Sequence, residues 1–310
     1  MLQGIGFWIG FNAFILLMLG LDLIIFNRKP HQISLREAAG WSIFWIAISL
    51  LFNLGLYLHP AFTSEQALQF FTGYLLEKSL SVDNLFVFIM IFSYFKVEAR
   101  YQHGVLVWGI IGAIIMRSIM IILGGTLIHQ YHWILYIFGA FLIYTSYRML
   151  ISREEKHPEK NFVVRFIRRI LPISDTYDGR RFFTRQNGRL LATPLLLVLV
   201  TIEVSDVVFA FDSIPAIFAI TDDVFIVYTS NIFAILGMRA LYFVLADILE
   251  IFHFLKYGLA LILFFIGIKL LCSGFFEVPV LLSLLIIFVA LGVSVLASLI
   301  WKKKQPTLPS

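Results

Sequence analysis

Leu190-Leu-Ala-Thr-Pro-Leu-Leu-Leu-Val-Leu-Val-Thr-Ile-Glu-Val-Ser-Asp-Val-Val-Phe-Ala-Phe-Asp-Ser-Ile-Pro-Ala-Ile-Phe-Ala-Ile220 is long and apolar enough to cross a membrane, yet it carries Glu203, Asp206 and Asp212 near its middle. A helix rises about 1.5 Å per residue, so roughly 20 apolar residues span the ~30 Å hydrocarbon core of a bilayer. Ionised carboxylates at that depth are costly, so they face a cavity or a partner and become candidates for function. This one stretch sets the fold class and poses the functional question.

The remainder of the chain agrees with a membrane setting. Of 310 residues, 60% are hydrophobic and only 14% charged, which excludes an ordinary water-soluble globule. The first apolar segment, Gly6 to Phe26, lacks a basic leader and a small-residue cleavage pattern and carries Asp22 near its end, so it reads as a retained span. The single cysteine, Cys272, excludes an intramolecular disulfide framework and a cysteine-based metal cluster. A net charge of +5 comes from basic residues at the joints between apolar runs, where membrane topology accounts for them without nucleic acid.

Nine apolar runs are expected to span, at 6–26, 39–58, 66–95, 104–128, 132–151, 190–220, 223–250, 255–273 and 279–301. Lys and Arg segregate completely. Arg28, Lys29, Arg36, Lys96, Arg100, the cluster from Arg153 to Arg189, Lys256 and Lys302 to Lys304 fall in alternate joints, and the opposite joints contain neither residue type. Basic loops stay cytoplasmic, so the N-terminus is expected outside and the C-terminus inside. The long joint 152–189 reads as a cytoplasmic connector, with Phe162-Val-Val-Arg-Phe-Ile-Arg-Arg-Ile170 as a segment suited to the lipid interface.

The chain also matches itself at an offset of 121 to 123 residues. Val82-Asp-Asn-Leu-Phe-Val-Phe88 aligns with Ser205-Asp-Val-Val-Phe-Ala-Phe211, Gly112-Ala-Ile-Ile-Met-Arg117 with Ala234-Ile-Leu-Gly-Met-Arg239, and Tyr136 to Leu150 with Tyr257 to Leu271. Each unit holds three spans, an odd number, so the copies are inverted, the usual architecture of secondary transporters. The expected organisation is two peripheral spans in 1–65, a first repeat in 66–151, the connector 152–189, a second, inverted repeat in 190–273, and a last span with a basic tail in 274–310. The fold class is all-α and polytopic.

The candidate site is acidic. Glu77 and Asp83 lie in the third span with Ser81 and Asn84, and Glu203, Asp206 and Asp212 in the sixth with Ser213. At about 100° per residue Glu203 and Asp206 share a face, as do Glu77, Ser81 and Asn84, whereas Asp212 points away from Glu203. Pro215 removes the hydrogen bond to the Phe211 carbonyl, so a kink or unwound turn is expected around Asp212. The metal set is therefore Glu77, Asp83, Asn84, Glu203, Asp206 and Asp212, with Asp22, Ser81, Ser213, Arg117 and Arg239 as auxiliaries. These hard oxygen donors suit Mn²⁺, Ca²⁺ or Mg²⁺. Lys78, Arg117 and Arg239 are the candidates to balance surplus charge, and protonation of surplus carboxylates would couple metal movement to protons. Asn231 and Ser79 read as helix-packing polar residues.

Glu77-Lys-Ser-Leu-Ser-Val-Asp-Asn84, Glu203-Val-Ser-Asp-Val-Val-Phe-Ala-Phe-Asp-Ser-Ile-Pro-Ala216 and Ser230-Asn-Ile-Phe-Ala-Ile-Leu-Gly-Met-Arg-Ala-Leu-Tyr242 resemble the signatures of the TerC integral membrane family. Tyr136-Ile-Phe-Gly-Ala-Phe141 adds a likeness to its Alx-like branch, and the resemblance runs from Leu21-Asp22-Leu23 to the last span. It implies a bacterial inner-membrane protein implicated in Mn²⁺ export, in a family named for tellurium resistance. The implied metal role falls on Glu77, Asp83, Glu203, Asp206 and Asp212. The expected function is a secondary transporter of divalent cations, not an enzyme, whose partners are the cation and the bilayer. Two alternatives from other classes stand beside it: a membrane scaffold with an indirect role in resistance, and an intramembrane metal-dependent enzyme, for which metalloprotease signatures such as His-Glu-x-x-His are absent.

Overall fold

The structure, a computed structural model, describes residues 5–27, 34–131, 133–151, 172–174, 177–179, 181–186, 189–248, 254–275 and 278–301, without the side chains of 22–27, 129, 186, 189, 247 and 248. Its elements are α1 (Ile5–Asn27), α2 (Leu35–Leu58), α3 (Ser64–Tyr94), α4 (Ala99–Gln130), α5 (Ile134–Ile151), β1 (Phe183–Gln186), β2 (Arg189–Ala192), α6 (Pro194–Phe218), α7 (Val224–Leu236), α8 (Met238–Ile248), α9 (Leu255–Leu271) and α10 (Val280–Ile300). Among the described residues five helices are long and apolar enough to cross a membrane, and α7 with α8, bent by 42° at Gly237, makes a sixth if taken as one span. α3 holds Glu77, Lys78 and Asp83 at its centre, and α9 and the apolar part of α1 are shorter.

Local chemistry sets the starts. Ser34 caps α2 by accepting from the Glu37 amide at 3.3 Å. Thr63 and Gln66 form a reciprocal capping box on α3. Asp223 caps α7 through the amides of Phe225 and Ile226. The sixth span was expected from residue 190, but Arg189–Ala192 is a strand paired antiparallel with Phe183–Gln186, and the helix starts only at Pro194, where a missing N–H costs nothing. The unwound turn expected near Asp212 is also absent. α6 runs through Pro215 to Phe218, because a proline so near the helix end removes one hydrogen bond and leaves little helix to disrupt. The break lies instead at Gly237, between α7 and α8. The interfacial segment expected at 162–170 lies outside the described residues.

Packing is built inside out relative to a soluble protein. On α10, Leu281, Leu285, Phe288, Leu296 and Leu299 are exposed, while Ser283, Ser294 and Ser298 face inward. Small residues at helix contacts with large apolar ones turned to lipid is the membrane pattern. α7 is buried on all sides from Phe225 to Leu236 and is the central helix. Among α3, α4, α5, α6, α7 and α9 the main pairings join α5 to α9, α3 to α7, α4 to α6, α3 to α6 and α4 to α7, while α2 packs on α3 and α8 and α10 on α9. Exchanging α3, α4 and α5 with α6, α7 and α9 leaves the pairings among those six unchanged.

The closest crossing is between α5 and α9. A Cβ on Gly139 would stand 2.8 Å from the Gly267 carbonyl oxygen, and one on Gly267 the same 2.8 Å from the Gly139 oxygen. Two turns away the Ser146 hydroxyl donates to the Ala260 carbonyl at 2.7 Å. At an offset of 121, Gly139 corresponds to Ala260 and Ser146 to Gly267, so the two contacts exchange into each other.

Gly139→Ala or Gly267→Ala should therefore force α5 and α9 apart and cost about 1–3 kcal/mol, the usual range for overpacking. Gly20→Ala, in open space, should leave stability unchanged or slightly raised. Thermal unfolding in detergent separates these outcomes.

Candidate functional site

The centre of the molecule is one guanidinium. Arg117, on α4, is 0% exposed and is enclosed by α3 and α6. Each of these two helices offers it an acid and, seven residues on, a small polar group: Glu77 and Asn84 on α3, Asp206 and Ser213 on α6. Seven residues are nearly two turns, so acid and polar partner share a face.

The fork geometry of arginine explains how one side chain serves both helices. Nε donates to Asp206 Oδ2 at 3.0 Å and Nη2 to Asp206 Oδ1 at 2.9 Å, a bidentate pair. Nη1 donates to Glu77 Oε1 and, at 3.4 Å, to Ser213 Oγ. With the Asn84 amide oriented to satisfy both its neighbours, its oxygen accepts from Nη2 at 3.2 Å and its nitrogen donates to the Leu80 carbonyl at 3.2 Å. All five donors are thereby used. Nη1 reaches the Glu77–Ser213 level and Nη2 the Asp206–Asn84 level, as antiparallel α3 and α6 require.

Charge is not fully balanced in this cluster. Two carboxylates face one guanidinium, an excess of one negative charge when all are ionised. Glu77 is 0% exposed, and its second oxygen, Oε2, has no hydrogen-bond partner. A buried unsatisfied acceptor is costly and calls for an explanation such as a water or an ion.

The other expected site residues lie elsewhere. Glu203 is half-buried against α4, in the space left by the missing side chain of Gly112. Asp212 accepts from the Thr145 hydroxyl of α5 at 3.0 Å. Asp83 is half-buried with contacts of its own, and no Arg117 donor remains for it. Ser81 turns back on its own helix and donates to the Glu77 carbonyl at 2.7 Å. The side chain of Asp22 lies outside the described residues. Lys78, expected to balance the acids, points the other way and donates to the Ala234 carbonyl at 3.3 Å, beside the Gly237 break. Arg239 is buried and lines, with Asp206 and Ile235, a void of about 10 Å³, roughly the size of one water. Among the described residues no three His, Cys, Asp or Glu side chains gather into a metal shell. The acids thus divide into an arginine-bound pair and three outlying carboxylates. From the sequence Arg117 ranks only as an auxiliary, because Arg239, aligned with it at an offset of 122, is an equal candidate for the central cation.

The chain matches a family described as "Integral membrane protein TerC family" over residues 62–306, which begins just before α3 and leaves out α1 and α2. A protein of Myxococcus xanthus called "Uncharacterized membrane protein STKORF319" is 49% identical over 97% of this chain and 94% of its own length. A protein of Escherichia coli K12 with the provisional name membrane-bound redox modulator Alx is 51% identical over 91% of this chain and 90% of its own. An "Uncharacterized membrane protein" of Rickettsia felis is 44% identical over 95% and 98%. No solved structure matches the chain.

Removing one member of a buried charge pair should cost about 3–5 kcal/mol, because it strands the others. Arg117→Leu alone should therefore fail to fold or lose most of its stability. The triple variant Glu77→Leu/Arg117→Leu/Asp206→Leu should recover much of it. Unfolding in detergent checks this, and a triple variant as unstable as Arg117→Leu would contradict it.

Proposed function

The chain belongs to the integral membrane protein TerC family, and from that premise we propose that it is a secondary transporter exporting divalent metal cations, Mn²⁺ foremost. The carrying observation is the convergence of Glu77 and Asp206, from two different helices, on a single buried counter-ion, with one Glu77 oxygen left unsatisfied. Two carboxylates, an amide and a hydroxyl form a hard donor set, which suits Mn²⁺ or Ca²⁺ rather than a soft metal.

In this reading Arg117 is the resident substitute for the cargo. A divalent ion entering between α3 and α6 competes for the same oxygens, and Arg117 withdraws from at least one of them. When the ion leaves, the guanidinium returns and closes the site, so the carboxylates are never left without a counter-charge in the low-dielectric interior. The cluster's excess negative charge would be met by a proton when no metal is bound, which couples export to proton entry. Asp83, Glu203 and Asp212 would line the path rather than the seat. The helix pairings that survive exchange of the two halves support the inverted-repeat reading, and repeats of this kind place substrate where they meet. The segregation of Lys and Arg supports an outside N-terminus and cytoplasmic C-terminus in a bacterial inner membrane.

A second reading rests on the same cluster: all five Arg117 donors are satisfied, which also describes a structural clamp between halves. The redox role in the name of the Escherichia coli relative finds no thiol pair here, since Cys272 is the only cysteine.

Glu77→Gln and Asp206→Asn should each lower Mn²⁺ efflux about tenfold or more, the effect of losing one charge-assisted contact, and raise cellular manganese measured by elemental analysis. In proton-tight vesicles an inward proton gradient should accelerate wild-type export. Folded variants with wild-type efflux would favour the clamp instead.

A further inference from the structure

Asn231, on α7, is 0% exposed, and neither its amide oxygen nor its amide nitrogen has a hydrogen-bond partner. Its neighbours behave differently. Thr229 donates to the Phe225 carbonyl at 2.8 Å and Ser230 to the Val227 carbonyl at 3.1 Å, so each satisfies itself on its own helix. A buried amide wholly without partners is rare, and in the hydrocarbon layer neither bulk water nor a surface relieves it.

Its position points to the Arg117 cluster. Ser230 packs on Gly73, and Lys78 bonds the Ala234 carbonyl, so α3 and α7 run parallel with Asn231 level with Tyr74. Glu77 is three residues further along α3, less than one turn, or about 4.5 Å of rise. Around α7, Ser230 faces α3, while Ile235 lines the water-sized void shared with Asp206. Asn231 lies about 100° from Ser230 and about 40° from Ile235, between those two directions. Glu77 Oε2 and the Asn231 amide, neither with a hydrogen-bond partner, are thus buried at similar depth on helices in contact.

Resting on the transport reading above, we propose that Asn231 Oδ1 and Glu77 Oε2 form the first seat of a hard divalent cation. There the ion is held before Arg117 releases Asp206. Neither oxygen is used by Arg117, so a cation can be received while the guanidinium still holds Glu77 Oε1 and both oxygens of Asp206. A neutral amide beside one carboxylate gives oxygen coordination without adding charge, which suits a site that must also release its ion.

The test is a Mn²⁺ titration of the purified full-length protein, read by the electron paramagnetic resonance signal of free hexaaqua Mn²⁺, together with thermal unfolding. Asn231→Leu, close in size and apolar, should weaken Mn²⁺ binding roughly tenfold or more, yet leave the unfolding temperature unchanged or higher, because an unsatisfied amide is removed. Asn231→Asp keeps the oxygen and should retain binding. Wild-type affinity in Asn231→Leu, or a lowered unfolding temperature that reveals a structural partner for the amide, would overturn the proposal. If Glu77→Gln loses binding while Asn231→Leu keeps it, this seat is wrong and the transport reading survives. A folded wild type that binds no Mn²⁺ sinks both.

Discussion

A guanidinium buried in the hydrocarbon layer must be neutralised by groups that reach it, and in this protein that requirement fixes three helices at once. Arg117 on α4 takes Asp206 in a bidentate grip from α6 and Glu77 from α3, with Ser213 and Asn84 filling its last donors. Neither acid can move along or around its helix without stranding a charge. The glycine-rich crossings elsewhere in the bundle let helices come close enough for these side chains to meet. Gly112 gives Glu203 its space, and the Gly139–Gly267 crossing brings α5 and α9 to backbone contact. Close helix approach and central charge pairing are two sides of one constraint, since longer helix separations would exceed the reach of the fork.

The break in the central helix answers to the same constraint from another side. α7 ends at Gly237, and its terminal carbonyls need a donor that the helix itself cannot supply. Lys78 supplies one at the Ala234 carbonyl. The two cations of this region therefore have separate tasks: Arg117 serves carboxylates, and Lys78 serves a helix end, where a positive charge also meets the dipole favourably. Adjacent residues on α3, Glu77 and Lys78, tie that helix to the charge cluster and to the break, so a shift of α3 acts on both.

Much of this was legible in the sequence because membrane physics is strict. Apolar length and the absence of Lys and Arg from alternate joints marked the helical segments, and the depth of Glu77 and Asp206 marked members of the buried charge cluster. What escaped depended on contacts between segments. Nothing local distinguishes Arg117 from Arg239, and only the convergence of α3 and α6 makes the first central. Pro215 is the stronger helix breaker by type, yet it stands in a last turn with little helix after it, while Gly237, a weaker breaker, has Lys78 and Trp45 beside it to hold a bend. Asn231 read as a packing residue because a sequence cannot reveal that an amide finds no partner. The strand at Arg189–Ala192 was hidden in apolar letters that also suit a helix.

Whether the Arg117 cluster is there for stability or for use can be argued from the chain itself. A buried ion pair replaced by well-packed apolar residues is often no less stable, so an acid at such a place needs a further reason. On the repeat reading, the counterpart of Glu77 falls at 198–200, which is Val-Leu-Val. The architecture thus accepts an apolar residue at the matching place in its other half. Glu77 is an addition made on one side only, it completes no symmetric lock, and it leaves an oxygen open in a dry interior. A clamp would gain nothing from that oxygen, whereas on the transport reading an arriving cation can bind it while Arg117 keeps its own acceptors.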